Sequence, residues 1–249
     1  MNARLIIAAL VGLSSAVALP ARADDIAVFS STALRAVLRE LGPQFEKATG
    51  NKLVLTIGPA AVMKSKIDEG AAFDVAIVTP PLLEGLAAAG KVDRATSAVI
   101  ARSGLSVSVR AGASKPDISS AEALKQTLLT AKSIGLNGQG ATRASAEAMF
   151  AKLGIAQEVK PKIKLLTTSA PAAVAQGEVE LGLSPASEAL EAAGAQLVGM
   201  VPTDYRSYLV LSGGVSTASK HPDAAKALIK FLTAPAAQPV LREKGMEPG

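Results

Sequence analysis

Four short segments place small or hydroxyl-bearing residues between an apolar run and a helical stretch. They are Ser30-Ser31-Thr32 after Phe29, Gly58-Pro59-Ala60-Ala61 after Ile57, Asn137 to Arg143 (NGQGATR) after Leu136, and Thr167-Thr168-Ser169-Ala170-Pro171 after Leu166. A strand that ends in such a turn and feeds a helix offers free backbone N–H groups, hydroxyl donors and the positive end of the helix dipole. That chemistry holds an anion. N-capping alone would account for any one of the turns, whereas four of them point to a shared site. Thr142, Arg143, Thr168 and Ser169 are candidates from the later two turns, and Ser184, at the end of the run LGLS, is a further one. Arg143 stands out because the macrodipole disfavours a cation just inside a helix start. It either answers a bound anion or pairs with Glu147 four residues on. Arg35, Lys64 and Arg206 are weaker cationic candidates.

Other chemistries are closed off by composition. The 249 residues include one His and no Cys, so a Cys/His zinc site, a Cys–His dyad and any disulfide are excluded. His221, the one imidazole, precedes Pro222-Asp223 in a turn-like stretch and reads as a surface residue. Asp74, between Phe73 and Val75, reads as a partnered structural carboxylate. Tyr205 and Tyr208 either close over a ligand or pack near a hinge. The Gly138-Gln139-Gly140 turn lacks the third glycine and the acidic residue of a dinucleotide fingerprint. No catalytic residue, metal or cofactor is implied by these patterns.

The first 23 residues carry a basic start at Arg4, an apolar run from Leu5 to Leu19 and the small-x-small end Ala21-Arg22-Ala23. A run of this length is short for a membrane span, so the segment reads as a cleaved secretory signal peptide and the protein is expected in a bacterial periplasm. Removing it leaves 24 basic against 21 acidic residues, a net charge of +3. The lysines are scattered without interleaved aromatic residues, which argues against nucleic acid and leaves a mild bias toward anions.

The elements that must position these turns follow from periodicity. Asp25 to Phe29, Lys52 to Ile57, Phe73 to Val78, Ser133 to Leu136, Lys162 to Leu166 and Val179 to Leu183 read as strands, and helical stretches alternate with them. Leu34, Val37, Leu38 and Leu41 share one helical face, and Gly42-Pro43 is expected to bend or restart that helix. Ser119 or Ser120 is the expected N-cap of the helix AEALKQTLLTA. Alternation of this kind gives an α/β class with mostly parallel sheets flanked by helices. GLSVSVR and YRSYLVLSG are extended runs without a tight helical partner, and they divide the chain into thirds. If both cross between lobes, one lobe holds residues 24–102 with 210–249 and the other 103–209, joined by a double-strand hinge.

The segments VFSSTALRAVLRELGPQFEKATG, LTIGPAAVMKSKIDEGAAFDVAIVTP, KVDRATSAVIARSGLSVSVRAGASKPDI, AMFAKLGI, VAQGEVELGLSPASEAL and AAKALIKFLTAPAAQPVLREKG together resemble the periplasmic molybdate-binding protein family. The resemblance implies a type 2 periplasmic-binding fold of two α/β lobes. It also implies capture of a small anion and delivery to an ABC permease in the inner membrane, by a protein expected to be a monomer. The family's first-turn serine falls here on Ala33, its second-turn serine on Ala60 or Ala61, and its late tyrosine on Pro185. Several hydrogen bonds to a buried dianion are thereby lost, worth a few kcal/mol in all. Ser30, Ser31, Thr32 and Thr168 remain nearby, and backbone donors at Gly58, Ala60 and Ala61 persist. RAGASKPDI and KQTLLTAKSI are similar to a divergent branch that includes aconitate isomerase, which gives an enzymatic alternative. Such an isomerase needs cationic clamps and a base for an allylic proton. Arg143, Arg35 and Lys64 suit the clamps, and no base is evident in the sequence.

Overall fold

The computed structural model describes residues 24–139 and 142–249. The expected signal peptide, residues 1–23, lies outside the described residues. The chain opens with β1 (Asp25–Ser31), a 3-10 turn at Thr32–Leu34, α1 (Arg35–Thr49), β2 (Lys52–Gly58), α2 (Ala60–Asp68), β3 (Val75–Val78) and α3 (Pro80–Ala88). The long β4 (Val92–Arg110) follows, and leads to α4 (Ala121–Thr130), β5 (Ile134–Asn137), α5 (Thr142–Lys152), α6 (Ala156–Val159), β6 (Ile163–Leu166) and α7 (Ala170–Gln176). Then come β7 (Leu181–Pro185), α8 (Ala186–Glu191), β8 (Ala195–Met200), β9 (Tyr208–Ser216), α9 (Pro222–Thr233), α10 (Gln238–Glu243) and β10 (Glu247–Pro248).

The strands run in the order β2-β1-β3-β9-β4-β7-β5-β6, with β8 and β10 paired to β4 off that path. β1 is parallel to β2 and β3, and β5 is parallel to β6 and β7. β9 and β4 are antiparallel to their neighbours and join these two parallel groups. β4 pairs with β9 as far as Gly104 and with β7 from Leu105 onward, so one strand passes from the first half-sheet into the second. The chain returns beside it, where the Leu105 N–H donates to the Ser207 carbonyl at 2.9 Å.

Each half-sheet carries its own buried cluster. In the first, Ile26 and Val28 of β1 and Val75 and Ile77 of β3 pack under Val37, Leu38, Leu41 and Phe45 of α1 and Leu228 and Leu232 of α9. Phe45 meets Phe231 edge-on, with ring centroids 5.6 Å apart. In the second, Leu124 and Leu128 of α4 and Met149 and Phe150 of α5 cover Val107, Ile134, Leu136 and Leu183. Each such side chain contributes roughly 1.5–3 kcal/mol by burial, which makes the framework under the strand ends stiff.

Several elements depart from the sequence reading. α1 runs unbroken through Gly42 and Pro43. Proline removes one N–H, but the helix is held by four buried apolar side chains, and Gly42 sits 3.4 Å from the Leu53 side chain by its would-be Cβ, so α1 rests closely on β2. β4 begins at Val92 rather than near Gly104, and β8 and β10 are strands that the apolar periodicity does not announce. The expected cap is found: Ser120 Oγ accepts from the Ala123 N–H at 3.1 Å.

Asp74 is structural, as its sequence context suggested. Its carboxylate accepts from the Ala27 N–H at 2.8 Å and from Ser219 Oγ at 2.6 Å, tying β1 to the segment after β9. Asp74→Ala would strand the Ala27 donor, and a loss of about 2 kcal/mol is expected in urea unfolding. Asp74→Asn, which keeps an acceptor, should lose less than half of that. Equal losses for the two variants would show that the donor at Ala27 is satisfied some other way.

Candidate functional site

The four turns singled out in the sequence meet in one cleft between the half-sheets. Ser31 and Thr32 lie at the end of β1, Gly58 and Ala60 at the end of β2, Asn137 and Thr142 flank the β5–α5 turn, and Thr167, Thr168 and Ser169 follow β6. Together with Arg35, Pro185, Glu188 and Leu209 they enclose about 290 Å³. The convergence follows from topology. β1, β2, β5 and β6 present their carboxyl ends to the same crevice, as parallel strands of open α/β sheets do.

Local contacts fix the walls. Asn137 Nδ2 donates to the Thr168 carbonyl at 3.2 Å and Asn137 Oδ1 accepts from the Gln139 N–H at 2.9 Å, so the β5 and β6 turns brace each other. Ser169 caps α7, its Oγ accepting from the Ala172 N–H at 3.4 Å. α7 lies against β7 at Gly182, where a Cβ would come within 2.7 Å of Ser108 Oγ and 2.9 Å of Val174. A side chain there would push the Thr168–Ser169 turn away from the cleft. Thr142 is buried, whereas Thr167 and Thr168 are exposed and reach into the opening.

The other sequence candidates are placed elsewhere. Ser30 is fully buried behind the wall, its Oγ donating to the Ser31 carbonyl at 3.3 Å. Ser184 is buried in β7 and its Oγ donates to the Pro185 carbonyl at 3.2 Å. Ala61 is exposed on α2. None of the three is among the cleft residues. Arg143, the first cationic candidate, is not among them either: its Nε donates to Glu147 Oε1 at 2.9 Å, which is the helix-surface pair the spacing allowed. Lys64 pairs with Asp68, and Arg206 Nε donates to the Val201 carbonyl at 2.9 Å. Tyr208 donates to Glu247 at 3.0 Å, Tyr205 lies under Lys152, and His221 Nδ1 is 3.1 Å from Asp24. These are packing and surface roles.

The cation in the cleft is Arg35, at the first position of α1, where the helix dipole opposes it by about 0.3–1 kcal/mol. It stands 4.0 Å from Glu191, which is engaged by Arg39 at 2.8 Å. Arg35, Thr32, Ser169 and Glu188 also wall an adjoining chamber of about 250 Å³, completed by Arg39, Glu191 and the start of the α8–β8 connection. The cleft therefore extends from a compartment of hydroxyls and backbone donors toward one that holds two guanidinium groups.

Glu188, three residues past the end of β7, was missed by sequence reasoning. It sits half-buried in the walls of both chambers, and burial pushes its carboxyl up to about 7, with Arg35 opposing and Glu191 adding to the rise. The available signal was its place just after a strand end, in the first turn of the following helix. A carboxylate in the first turn of a helix is otherwise unremarked, because the dipole favours it there.

The sequence profile described as bacterial extracellular solute-binding protein matches residues 26–247. The chain is 30% identical over 252 residues to the molybdate-binding protein ModA of Azotobacter vinelandii, covering 97% of this chain and 96% of that one. It is 29% identical over 229 residues to an aconitate isomerase of a Pseudomonas species, covering 90% and 87%. The structure of the periplasmic molybdate-binding protein of Azotobacter vinelandii superposes with a TM-score of 0.76 at 19% identity, covering 90% of this chain and 99% of that chain. No helix among the described residues is long and apolar enough to cross a membrane. With a matching profile and a 30% identical relative both spanning nearly its whole length, the chain belongs to the bacterial extracellular solute-binding protein family.

Proposed function

We propose that the chain is an exported binding protein that captures a small organic polycarboxylate between two lobes and presents it to an ABC permease. The observation that carries this reading is the convergence of four strand-end turns and Arg35 on one cleft that continues to Arg39. Hydroxyls, backbone donors and a planar guanidinium suit a carboxylate. A tetrahedral metal oxyanion is served less well, because Ala33, Ala60 or Ala61, and Pro185 stand where the resemblance to the molybdate-binding pattern places side-chain donors. The expected division into residues 24–102 with 210–249 and 103–209 is supported by the passage of the chain between half-sheets in β4 and just before β9. Bending at these two strands would close the cleft on its ligand.

A second reading is favoured by Glu188. A carboxyl group that exchanges its proton near neutrality could serve an allylic proton shift in a tricarboxylate, and the Pseudomonas relative is named for that reaction.

Thermal-shift measurements on residues 24–249 with molybdate, tungstate, sulfate, phosphate, citrate and the two aconitates test these readings. A raised melting temperature with a polycarboxylate, and an unchanged NMR spectrum of that acid, is the expected result. Stabilisation by molybdate or tungstate alone would overturn the choice of ligand, and interconversion of the aconitates would make the second reading the right one.

A further inference from the structure

Glu188 gives the cleft a property that a plain anion trap lacks. Its carboxyl group stands in the wall of both chambers, next to the guanidinium that would hold the ligand. The charged groups around it are few. Arg35 and Arg39 face it from α1, and both turn to Glu191, one turn further along α8. β7, β8 and the 3-10 turn before α1 bring no ionisable side chain to α8. On β4, Arg102 is held by Glu247 at 2.7 Å, and on the far side of α8, Lys244 is held by Glu40 at 2.7 Å and Glu243 at 2.8 Å. Among the described residues, Glu188 therefore has no ion-pair partner within 4.0 Å.

The charge of the cleft follows from these four groups. With Glu188 ionised, two arginines face two glutamates and the cleft is neutral. With Glu188 protonated, the cleft is cationic by one unit. An ionised Glu188 can accept a hydrogen bond but cannot give one, so it repels any ligand surface made only of bare anionic oxygen. A ligand that carries its own hydroxyl or acid hydrogen can donate to it.

We propose that Glu188 makes the cleft a selector for anions that carry a hydrogen-bond donor, hydroxy acids above all, and that an anion without one enters only as Glu188 takes up a proton. The inference rests on the reading that this cleft binds a carboxylate, and it names the class of carboxylate. In the proton-coupled case, the proton comes from solvent, resides on the Glu188 carboxyl and is donated to a ligand oxygen, so no bond of the ligand changes. Because the Glu188 carboxyl is half-neutral near pH 7, the coupling falls in the neutral range.

Matched acids that differ by one hydroxyl read this directly: citrate against tricarballylate, and malate against succinate. Titration calorimetry from pH 6 to pH 9, in two buffers of different ionisation enthalpy, measures affinity and proton uptake together. The hydroxy acid should bind with an affinity that changes little across the range. Its partner should weaken by about tenfold per pH unit above 7 and take up close to one proton per site. Glu188→Gln has an amide donor and no titration, so it should bind tricarballylate or succinate without pH dependence. Glu191→Gln keeps Glu188 and should keep the pH step. Equal, pH-independent binding of both members of a pair by the unaltered protein would overturn the proposal while leaving carboxylate capture intact. Failure of every acid to bind either the unaltered protein or Glu188→Gln would remove the capture reading, and the proposal with it.

Discussion

Arg35→Ala is expected to weaken polycarboxylate binding by about a hundredfold, while Arg143→Ala changes it less than threefold. The contrast follows from where each guanidinium is spent. Arg143 is on the surface of α5 and paired with Glu147 at 2.9 Å. Arg35 stands in the cleft wall, 4.0 Å from a glutamate that Arg39 already engages. A charge-assisted hydrogen bond contributes about 1.5–3 kcal/mol, and a bidentate pair with a carboxylate lies at the upper end of that range, which corresponds to about two decades of affinity. Arg35→Lys keeps the charge without the planar fork, so it should recover only part of the loss. Calorimetry on the three variants separates the cases. Loss of binding in Arg143→Ala with Arg35→Ala unaffected would place the ligand nearer α5 than this cleft.

That contrast also marks what the amino-acid order could and could not reveal. Both arginines lie at a helix start after a small or hydroxyl-rich turn, so local context ranks them alike. It even favours Arg143, whose turn is the richer in glycine. What separates them is the company they keep. Glu147 lies four residues from Arg143 and was visible as an alternative partner. Glu191, which shares the neighbourhood of Arg35, is 156 positions away in the chain. The four turns were legible because each is a local event, the end of an apolar strand followed by small or hydroxyl residues, and parallel pairing brings such ends together within each half-sheet.

The parts of the fold that were missed are those with weak local patterns. The first half of β4, Asp93 to Val99, is exposed through Ala95 and at most half-buried beyond it, and it contains charged and small residues, so it lacks the apolar rhythm of a strand. It is tied to β9 on either side of an irregularity, at Asp93 and at Ala98, and Thr96 Oγ1 accepts from the Val215 N–H at 2.9 Å in between. β8 is half-buried from Ala195 to Gly199 and exposed at Met200, and it exists as a strand through its pairing with β4. Gly42-Pro43 has the look of a helix break, yet the buried face of α1 overrides it. In each case a long-range contact decides the local conformation.

Glu188→Gln is expected to stabilise the ligand-free protein at pH 8 by about 1–3 kcal/mol and to leave it unchanged near pH 4. The sign follows from the two protonation equilibria. The unfolded chain releases this proton near the ordinary glutamate value of 4.5, whereas the folded chain holds it up to about 7, chiefly because burial disfavours the charge. As pH rises through that interval, the unfolded state loses its proton first and the native state is progressively disfavoured. Above 7 the full cost of the ionised, half-buried carboxylate is present, and solvent access to the cleft keeps it at the modest end of what the shift alone implies. Glutamine never ionises and so never incurs it. Urea unfolding at the two pH values, with unchanged denaturant slopes, reads the difference as a shift in midpoint. Equal midpoints for the variant and the unaltered protein at pH 8 would mean that the carboxylate is solvated or paired when ionised, and its influence on ligand choice would lose its physical basis. A positive result would show a residue that weakens the empty fold at the pH where its charge can sort ligands, which is the trade expected of a group held in place for binding.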